Sequence, residues 1–331
     1  MKAVVYSAAG PSNVLTVVDR DPIPPGPGEV RVRVAVSGVN PTDWKARRGS
    51  LAFDEAVPNQ DGAGVIEEVG DGVDPARVGE RVWLWEAAWQ RPGGTAQESV
   101  TLPARQAVAL PEFASFELGA SLGIPALTAH ICLGGGRLEP GSLAGSCVLV
   151  AGGAGAVGNA AIQLARWAGA TVISTVSGPE KAALAAAAGA HLVVNYRLDD
   201  PAAAIRAFSS RGVDIVVEVA PNANAALDRA VLAPDGRVAV YAADGDLSLS
   251  VFPLMRDNIA YRFVLVYTVP PAVKDQAVHD VAAAVAAQAL RVGDDAGLPL
   301  HRFPLAETAA AHDAVEQGAV GKVLIDVGDR R

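Results

Sequence analysis

Cysteine and long apolar runs are scarce in this chain, and each shortage excludes a class of protein. Cys132 and Cys147 are the only two cysteines, too few for a disulfide framework or for a structural zinc site with four cysteine ligands. The longest apolar stretches are interrupted by glycine, proline or charged residues, so we expect no membrane-spanning segment. The first residues, MKAVVYSAAG, lack the apolar core and cleavage site of a signal peptide. We therefore expect a reduced protein of the cytoplasm.

Basic residues are also fewer than acidic ones. The chain has 27 basic and 36 acidic residues and a formal net charge of -9, so it offers no basic face for nucleic-acid phosphates or anionic lipid. We expect small uncharged or anionic molecules as partners, and neither nucleic acid nor membrane. Hydrophobic residues make up 50% of the 331 positions, enough to bury a large core in two domains.

Strand-forming segments follow two patterns along the chain. Near the start, β-branched runs such as EVRVRVAVSGV and GAGVIEEVG alternate with proline and glycine clusters, which predicts an antiparallel, partly barrel-like β domain. From about residue 143, apolar strands such as VDIVVEVA alternate with alanine-rich helical segments, which predicts an α/β domain with a parallel, doubly wound sheet. After about residue 270, the helix DVAAAVAAQALRVG and the strand GKVLIDV are predicted to return to the first domain.

A glycine-rich turn joins the first strand of the α/β domain to its first helix. In AGGAGAVGNA (151–160), Gly153, Gly155 and Gly158 have the spacing of the dinucleotide fingerprint. That fingerprint uses glycines for a tight turn, for close approach of a pyrophosphate and for helix–strand packing. The following helix would direct its unpaired N–H groups at the anion. We predict a bound dinucleotide here rather than a turn without a ligand.

The end of the next strand indicates which dinucleotide binds. NAD sites place a carboxylate on the ribose about 20 residues after the loop, but the sequence TVSG supplies none there, and Glu180 lies past Pro179 inside the next helix. Lys181 falls in the first turn of that helix, where the dipole disfavours a cation. A 2′-phosphate held by Ser177, Lys181 and Tyr196 would offset this cost. The sequence therefore favours NADPH over NADH.

Several other chemistries lack their motifs. The chain has neither a G-x-S-x-G elbow nor an H-E-x-x-H helix, and its five histidines are scattered, none of them paired with a cysteine at ligand spacing. We therefore expect neither a hydrolase nucleophile nor a metal site. Hydride transfer with a nicotinamide cofactor is the chemistry that remains.

Eight segments along nearly the whole chain match one known family. They are SGVNPTDWKARRG (37–49), DGAGVIEEVGDGV (61–73), GGTAQESV (93–100), LGIPALTAH (122–130), VLVAGGAGAVGNAAIQLARWAGA (148–170), PEKAALAAAAGAHLVVNY (179–196), GRVAVY (236–241) and VGKVLIDV (320–327). In this order they resemble the medium-chain dehydrogenase/reductase superfamily, and in particular its quinone oxidoreductase (zeta-crystallin-like) branch.

The resemblance implies a fold and a type of reaction. It implies a Rossmann domain over 122–269 and a GroES-like catalytic domain over 1–121 and 270–331. Zinc enzymes of the superfamily have a cysteine where this chain has Asn40, and Gly-His-Glu where it has NQD (59–61). Because those ligands are replaced, the resemblance implies a zinc-free NADPH reductase that acts on quinones or other electron-poor double bonds.

The resemblance also implies which residues surround the cofactor. Asn40 and Thr128 would lie beside the nicotinamide, and Ser177, Lys181 and Tyr196 would hold the 2′-phosphate. The remaining cofactor positions are Gly153, Gly155, Ala156 and Val157 at the pyrophosphate, together with Ala220 and Tyr241.

Three side chains are predicted to serve catalysis: Asn40, Lys45 and Tyr241. Several relatives carry a tyrosine where this chain has Lys45, so we expect the substrate pocket to be particular to this protein. Asp43 is expected to be structural and to cap the helix WKARRG. The candidates for apolar pocket walls are Trp44, Trp89, Tyr241 and Tyr267.

Three functions fit these features. The first is hydride transfer from C4 of NADPH to a flat conjugated acceptor such as a quinone, with proximity and orientation supplying most of the rate. The second is an enoyl reductase that acts on α,β-unsaturated thioesters or polyketide intermediates, in which Lys45, Tyr241 or water would protonate the α carbon. The third is a non-catalytic NADPH-binding protein with a structural or regulatory role. The sequence does not separate the first two.

Self-association is predicted from one further segment. RFVLVYTV (262–269) is expected to be an apolar edge strand of the cofactor sheet, and such an edge usually needs a partner. The family resemblance implies that it pairs with its copy in a homodimer.

Overall fold

The chain leaves its first structural unit after Ile124 and returns to it at Leu300. The computed structural model describes residues 1–134, 136–243 and 245–328. Unit 1 consists of Met1–Ile124 and the segment from Leu300 onward, and unit 2 is Pro125–Pro299. The predicted domains also include residues 135, 244 and 329–331, which lie outside the described residues.

The return to unit 1 comes later than the predicted position, residue 270. The segment 271–299 stays in unit 2 because its backbone is hydrogen-bonded there. The Asn159 amide donates to Ala296 O at 2.8 Å, and the Gln163 amide donates to Arg291 O at 3.1 Å.

The helices and strands have the following bounds. The strands are β1 (Lys2–Val5), β2 (Thr16–Asp19), β3 (Glu29–Val39), β4 (Asp61–Val69), β5 (Arg81–Leu84), β6 (Ser99–Pro103), β7 (Ala107–Ala109), β8 (Cys147–Ala151), β9 (Thr171–Val176), β10 (Leu192–Asn195), β11 (Val213–Glu218), β12 (Leu232–Val240), β13 (Ala260–Phe263), β14 (Leu300–Pro304) and β15 (Lys322–Asp326). The helices are α1 (Pro41–Arg48), α2 (Phe116–Gly119), α3 (Gly123–Leu133), α4 (Ala156–Trp167), α5 (Pro179–Ala187), α6 (Pro201–Phe208), α7 (Pro221–Val231), α8 (Val251–Arg256), α9 (Pro271–Ala286) and α10 (Thr308–Glu316).

Unit 1 is built on a sheet whose longest strand is β3. Val30, Val32 and Val34 are fully buried, and the arginines between them are more exposed, as the period of two in a strand requires. β3 pairs antiparallel with β4, β6 and β15, and the sheet order is β14-β15-β3-β4-β5-β7. The predicted antiparallel β domain is confirmed, with one exception, the parallel pair β14 and β15. Over the described residues the sheet is open, so the domain does not form the closed side of a barrel.

Unit 2 contains a six-stranded parallel sheet in the order β10-β9-β8-β11-β12-β13. Its central strands β8 and β11 are mostly apolar and buried, as expected of a parallel sheet with helices on both faces. The chain runs from β8 outward to β10 and then crosses to β11, so the strand order reverses between β8 and β11. Ligands of doubly wound folds bind at the carboxyl ends of the strands beside such a reversal. The predicted parallel, doubly wound sheet is confirmed.

Two predicted elements of unit 2 have different bounds. The edge strand predicted over 262–269 is β13, which ends at Phe263 because its neighbour β12 ends opposite, at Val240. A 3-10 turn, Val266–Thr268, follows it. The alanine-rich helix predicted over 280–293 is α9, which begins earlier because Pro271 favours the first position of a helix. Over the described residues, no helix is both long enough and apolar enough to cross a membrane.

Candidate functional site

Glycines shape the turn that follows β8. Gly152 has a φ of +71°, and its N–H donates to Thr175 O at 3.0 Å. A Cβ on Gly153 would overlap Ser174 Oγ, and a Cβ on Gly158 would overlap Gly152 O. The turn therefore depends on the left-handed conformation of Gly152, whereas Gly153 and Gly158 allow the strand and the helix to pack closely.

Gly155 leaves room for a ligand in this loop. It is exposed and immediately precedes α4, and a Cβ there would have no neighbour closer than Gly152 O at 3.6 Å. Ala156 and Val157 begin the helix and are half-buried. The first N–H groups of a helix have no partner within it, and together with the helix dipole they bind anions such as a pyrophosphate.

The three residues predicted to hold a 2′-phosphate follow neighbouring strands. Ser177 follows β9 and Tyr196 follows β10, and the N–H of Tyr196 donates to Val176 O at 3.1 Å. Lys181 is the third residue of α5, which begins two residues after Ser177. Tyr196 is 49% exposed, and Ser177 and Lys181 are half-buried. This group, which we call the ribose corner, contains two hydroxyls and a cation.

Arg197 adds a cation that the sequence analysis missed. It directly follows Tyr196, it is exposed, and its N–H donates to Asn195 Oδ1 at 3.1 Å. In the part of the chain that the structure describes, no carboxylate pairs with its guanidinium. The sequence did contain a sign of this cation: Arg197 is a second basic residue, after Lys181, and it stands next to Tyr196 at the end of β10.

Ala220 and Tyr241 follow the neighbouring strands β11 and β12. The buried Glu218 accepts the N–H of Ala220 through Oε1 at 2.5 Å, and its backbone oxygen accepts the N–H of Tyr241 at 3.0 Å. Burial raises the pKa of Tyr241 well above its ordinary value, with Cys132 and Glu218 adding to the shift, so the phenol keeps its proton at ordinary pH. The structure thus brings Ala220 and Tyr241 to the carboxyl edge of the sheet. Thr128 lies within α3 and is 5% exposed.

In unit 1, Asn40 lies between β3 and α1, and both ends of its amide are hydrogen-bonded. Asn40 Nδ2 donates to Asp61 Oδ2 at 2.7 Å, and Lys322 Nζ donates to Asn40 Oδ1 at 2.7 Å. Asn40 is 3% exposed. Lys322 was not predicted as a site residue. It lies on β15, where four successive residues are buried, so strand periodicity could not distinguish it.

Asp43 is buried at the third position of α1. Its two side-chain oxygens accept the N–H of Asn40 at 2.7 Å and that of Gln60 at 3.1 Å. Burial, together with the nearby charge of Asp61, raises the pKa of Asp43 to about 8. Asp43 therefore supports the start of the helix from inside its first turn, whereas the sequence analysis expected it to precede a helix that begins at Trp44.

Lys45 is exposed on the surface of α1. Its Nζ lies 5.7 Å from the centroid of the Trp44 ring, a cation–π distance. The buried bonds of Asn40 and the exposed ammonium of Lys45 thus place these two predicted catalytic residues in very different surroundings.

A cavity of about 250 Å³ lies beside α1 in unit 1. Its lining includes the apolar side chains of Leu51 and Phe53 and the polar groups of Asp43 and Arg91. Of the predicted aromatic walls, Trp89 lines this cavity. A small flat molecule with one or two polar atoms suits such a lining.

Both cysteines are free and buried. Burial raises the pKa of Cys132 to about 12, so its thiolate is not available for nucleophilic chemistry. Among the described residues, no group of three or more His, Cys, Asp or Glu side chains could hold a metal ion.

Comparisons with known proteins agree with this arrangement. The chain matches the alcohol dehydrogenase GroES-like domain over residues 26–112 and the zinc-binding dehydrogenase domain over residues 156–283. The quinone oxidoreductase of Homo sapiens is 30% identical over 333 residues, which cover 98% of this chain and 97% of that protein.

Two solved structures extend the likeness to the whole fold. A mycobacterial protein complexed with NADPH matches with a TM-score of 0.82 and 29% identity, over 98% of this chain and 99% of that one. An NAD-dependent alcohol dehydrogenase matches with a TM-score of 0.85 and 28% identity, over 99% of this chain and 100% of that one.

The fold, the glycine loop and the relatives together identify the protein as an oxidoreductase. The chain belongs to the medium-chain dehydrogenase/reductase superfamily and, within it, to the quinone oxidoreductase family. The resemblance found in the sequence is thereby confirmed.

Proposed function

We propose that the protein is an NADPH-dependent oxidoreductase that transfers hydride to quinones or similar conjugated carbonyl acceptors without a bound metal. The observation that carries the proposal is the ribose corner, where a strand end without a carboxylate meets Lys181 and the hydroxyls of Ser177 and Tyr196. The relatives named quinone oxidoreductase support the choice of acceptor.

The cofactor assignment follows from charge. In this proposal the pyrophosphate binds at Gly153, Gly155, Ala156 and Val157, at the N-terminus of α4. The 2′-phosphate binds to the ribose corner, with Arg197 as a further cation. The similarity to an NAD-dependent enzyme does not weigh against this assignment, because coenzyme choice depends on side chains at this corner and not on the fold.

We assign Asn40, Thr128, Ala220 and Tyr241 to the nicotinamide end. When bound, NADPH supplies the hydride from its C4. Asn40 would orient the nicotinamide through its amide, which is already held by two buried charged groups. Tyr241 holds its phenolic proton because burial raises its pKa. Lys45, Tyr241 or water is the proposed proton source for acceptors that need one.

The cavity beside α1 is the proposed acceptor pocket. Leu51, Phe53 and Trp89 give it apolar walls, which suit a planar conjugated ring. Hydride addition to a quinone leaves a hydroquinone anion, which water can protonate. A dedicated acid is therefore not required for this class of acceptor.

We also propose a homodimer and a cytoplasmic location. β13 is the outer strand of the parallel sheet; its last residue, Phe263, is 67% exposed, and Leu265 just after it is 54% exposed. An exposed apolar edge of this kind favours pairing with a second copy. Two free, buried cysteines agree with a reducing compartment.

Steady-state oxidation of NADPH tests the proposal. The purified protein is assayed with 9,10-phenanthrenequinone and p-benzoquinone, and in parallel with crotonyl thioesters and 2-enals, and zinc is measured in the same sample. We expect turnover with the quinones and no stoichiometric zinc. Turnover with the thioesters and enals alone would favour the enoyl reductase, and tight NADPH binding with every acceptor inert would favour a structural or regulatory role.

A further inference from the structure

A buried ion pair lies against Asn40 in unit 1. Lys322 Nζ is 3.5 Å from Asp61 Oδ2, and both residues are almost completely buried, with 1% and 0% of their surfaces exposed. Asp61 Oδ1 also accepts the N–H of Ile124 at 2.8 Å. Burial raises the pKa of Asp61 and lowers that of Lys322, and each partner's charge opposes the other's shift.

Two glycines leave the space that this ion pair occupies. A Cβ on Gly38 would lie 3.1 Å from Lys322 Nζ and would overlap Ala120 O, and a Cβ on Gly123 would overlap Asp61 Oδ1. A buried ion pair seldom stabilises a fold more than apolar residues of the same volume would. The absence of a side chain at Gly123 thus accommodates the carboxylate of a pair that stability alone does not require.

The two charges fix the orientation of the Asn40 amide. Oδ1 faces the ammonium of Lys322 and Nδ2 faces the carboxylate of Asp61, each at 2.7 Å. The flipped amide would direct its N–H groups at an ammonium and its oxygen at a carboxylate, so only one orientation is favourable. Among the described residues, the second N–H of Nδ2 has no acceptor.

We propose that Lys322 and Asp61 are positioning residues that hold the Asn40 amide in the single orientation in which its second N–H can bind the nicotinamide carboxamide. This inference rests on the proposed function, in which Asn40 lies at the nicotinamide end. The phosphates of the cofactor bind elsewhere, at the glycine loop and the ribose corner. Loss of the ion pair should therefore loosen the nicotinamide and leave most of the binding affinity in place.

A double variant, Lys322→Met with Asp61→Asn, tests this role. Lys322→Met alone would leave an unpaired buried carboxylate, which is strongly destabilising, whereas removing both charges together is usually tolerated. The one side-chain oxygen that Asp61→Asn retains could still accept from the Asn40 amide, but no cation would face Oδ1 of Asn40. The matched control is Arg47→Met with Glu316→Gln, which removes another ion pair of unit 1 (3.2 Å, with Arg47 fully buried) without touching Asn40.

The readouts are thermal unfolding, the Kd for NADPH, the fluorescence of bound NADPH and kcat with phenanthrenequinone. We expect the double variant to fold and to bind NADPH nearly as tightly as the wild type, because the phosphates still anchor the cofactor. We expect the fluorescence enhancement of the bound nicotinamide to be lost and kcat to fall about 10- to 100-fold, the cost of a misplaced reactant. The control should keep the fluorescence and kcat of the wild type.

Two outcomes would overturn the inference, and they are distinguishable. A folded double variant with the fluorescence and kcat of the wild type would mean that the ion pair is structural, while NADPH-dependent activity of the wild type still supports the proposed function. A wild type that does not bind NADPH would overturn both, and this is visible without any variant.

Discussion

The surroundings of His312 on α10 oppose a positive charge. His312 is fully buried, its Nε2 lies 2.9 Å from Asn59 Oδ1, and its Nδ1 has no hydrogen-bond partner within the described residues. Burial and the nearby charge of Arg47 lower the pKa of His312 to about 3. The imidazole is therefore neutral in the folded protein, and Nε2–H donates to Asn59.

This histidine should make stability depend on pH. In the unfolded chain it binds a proton below a pH of about 6.5, whereas the folded protein excludes that proton down to about pH 3. Stability is therefore complete above the unfolded pKa and falls as the pH drops, by up to about 1.4 kcal/mol per pH unit. Urea unfolding from pH 7 to pH 5 should show a steeper loss for the wild type than for His312→Gln, which keeps a donor for Asn59.

The difference in slope between the wild type and His312→Gln reports the contribution of His312 alone. Asp43, whose raised pKa gives a slope of opposite sign between about pH 4 and pH 8, is common to both and cancels in the difference. Equal slopes for the wild type and His312→Gln would show that His312 is protonated in the folded protein.

Motif residues were predictable from the sequence, and residues whose role depends on burial were not. Gly155, Ser177 and Lys181 stand at fixed distances from a strand that can be identified by its apolar run, so a pattern can find them. Lys322 contacts Asn40, 282 positions away in sequence, and its ammonium could not be located without the sheet register. Lys45 lies in a matched motif but its side chain is exposed. A position in a motif therefore does not indicate whether a side chain is buried in a site.

At the scale of elements, the turn between β8 and α4 offers a matched pair of substitutions. Gly155→Ala adds a methyl group that meets no atom of the protein closer than 3.6 Å, so the unfolding free energy should change by less than about 1 kcal/mol. The same methyl group would occupy the space proposed for the pyrophosphate. We expect the Kd for NADPH, measured by fluorescence titration, to rise roughly tenfold or more, equivalent to at least 1.4 kcal/mol.

Gly158→Ala, in contrast, should lower the stability of the fold. Its methyl group would overlap Gly152 O, so α4 must shift, at a cost of about 1–3 kcal/mol in unfolding free energy. Gly155→Ala with unchanged NADPH affinity would contradict the assignment of this loop to the pyrophosphate.

Strands and helices were predictable where their bounds depend on the pattern of their own side chains. The alternation of valines gave the bounds of β3, and the apolar runs identified the parallel strands of unit 2. The edge strand was placed too late because the end of β13 is set by the length of its neighbour β12, which its own sequence does not contain. The start of α9 depends on Pro271, which the alanine-rich pattern did not include.

At the scale of the whole molecule, the exposed edge of unit 2 predicts self-association. Phe263→Lys places a charge on β13, where a second copy would pair, and charged residues on an edge strand prevent such pairing. Size-exclusion chromatography with light scattering should show a dimer for the wild type and a monomer for the variant. Phe113→Lys is the control, because Phe113 is a similarly exposed phenylalanine of unit 1, 58% against 67%. A wild type that is monomeric at micromolar concentration would contradict the proposed dimer.

The two-unit organisation was predictable, and the position of the return was not. The change from β-branched runs to alternating strands and helices appears only from about residue 143, whereas the family resemblance implied a boundary at residue 122, close to the start of unit 2 at Pro125. The end of unit 2 depends on hydrogen bonds from Asn159 and Gln163 to residues near 291–296. Such contacts join distant parts of the chain and leave no local mark in the sequence.

Coenzyme preference tests the proposed cofactor site most directly. The values of kcat/KM for NADPH and NADH are measured with phenanthrenequinone for the wild type, for Lys181→Gln and for Lys2→Gln, a lysine exposed on β1. A charged hydrogen bond to a phosphate contributes about 1.5–3 kcal/mol, so the wild type should prefer NADPH by at least about tenfold. Lys181→Gln should lose most of that preference without a change in NADH kinetics, and Lys2→Gln should keep it. Equal kcat/KM values for the two coenzymes in the wild type would contradict a site built for the 2′-phosphate.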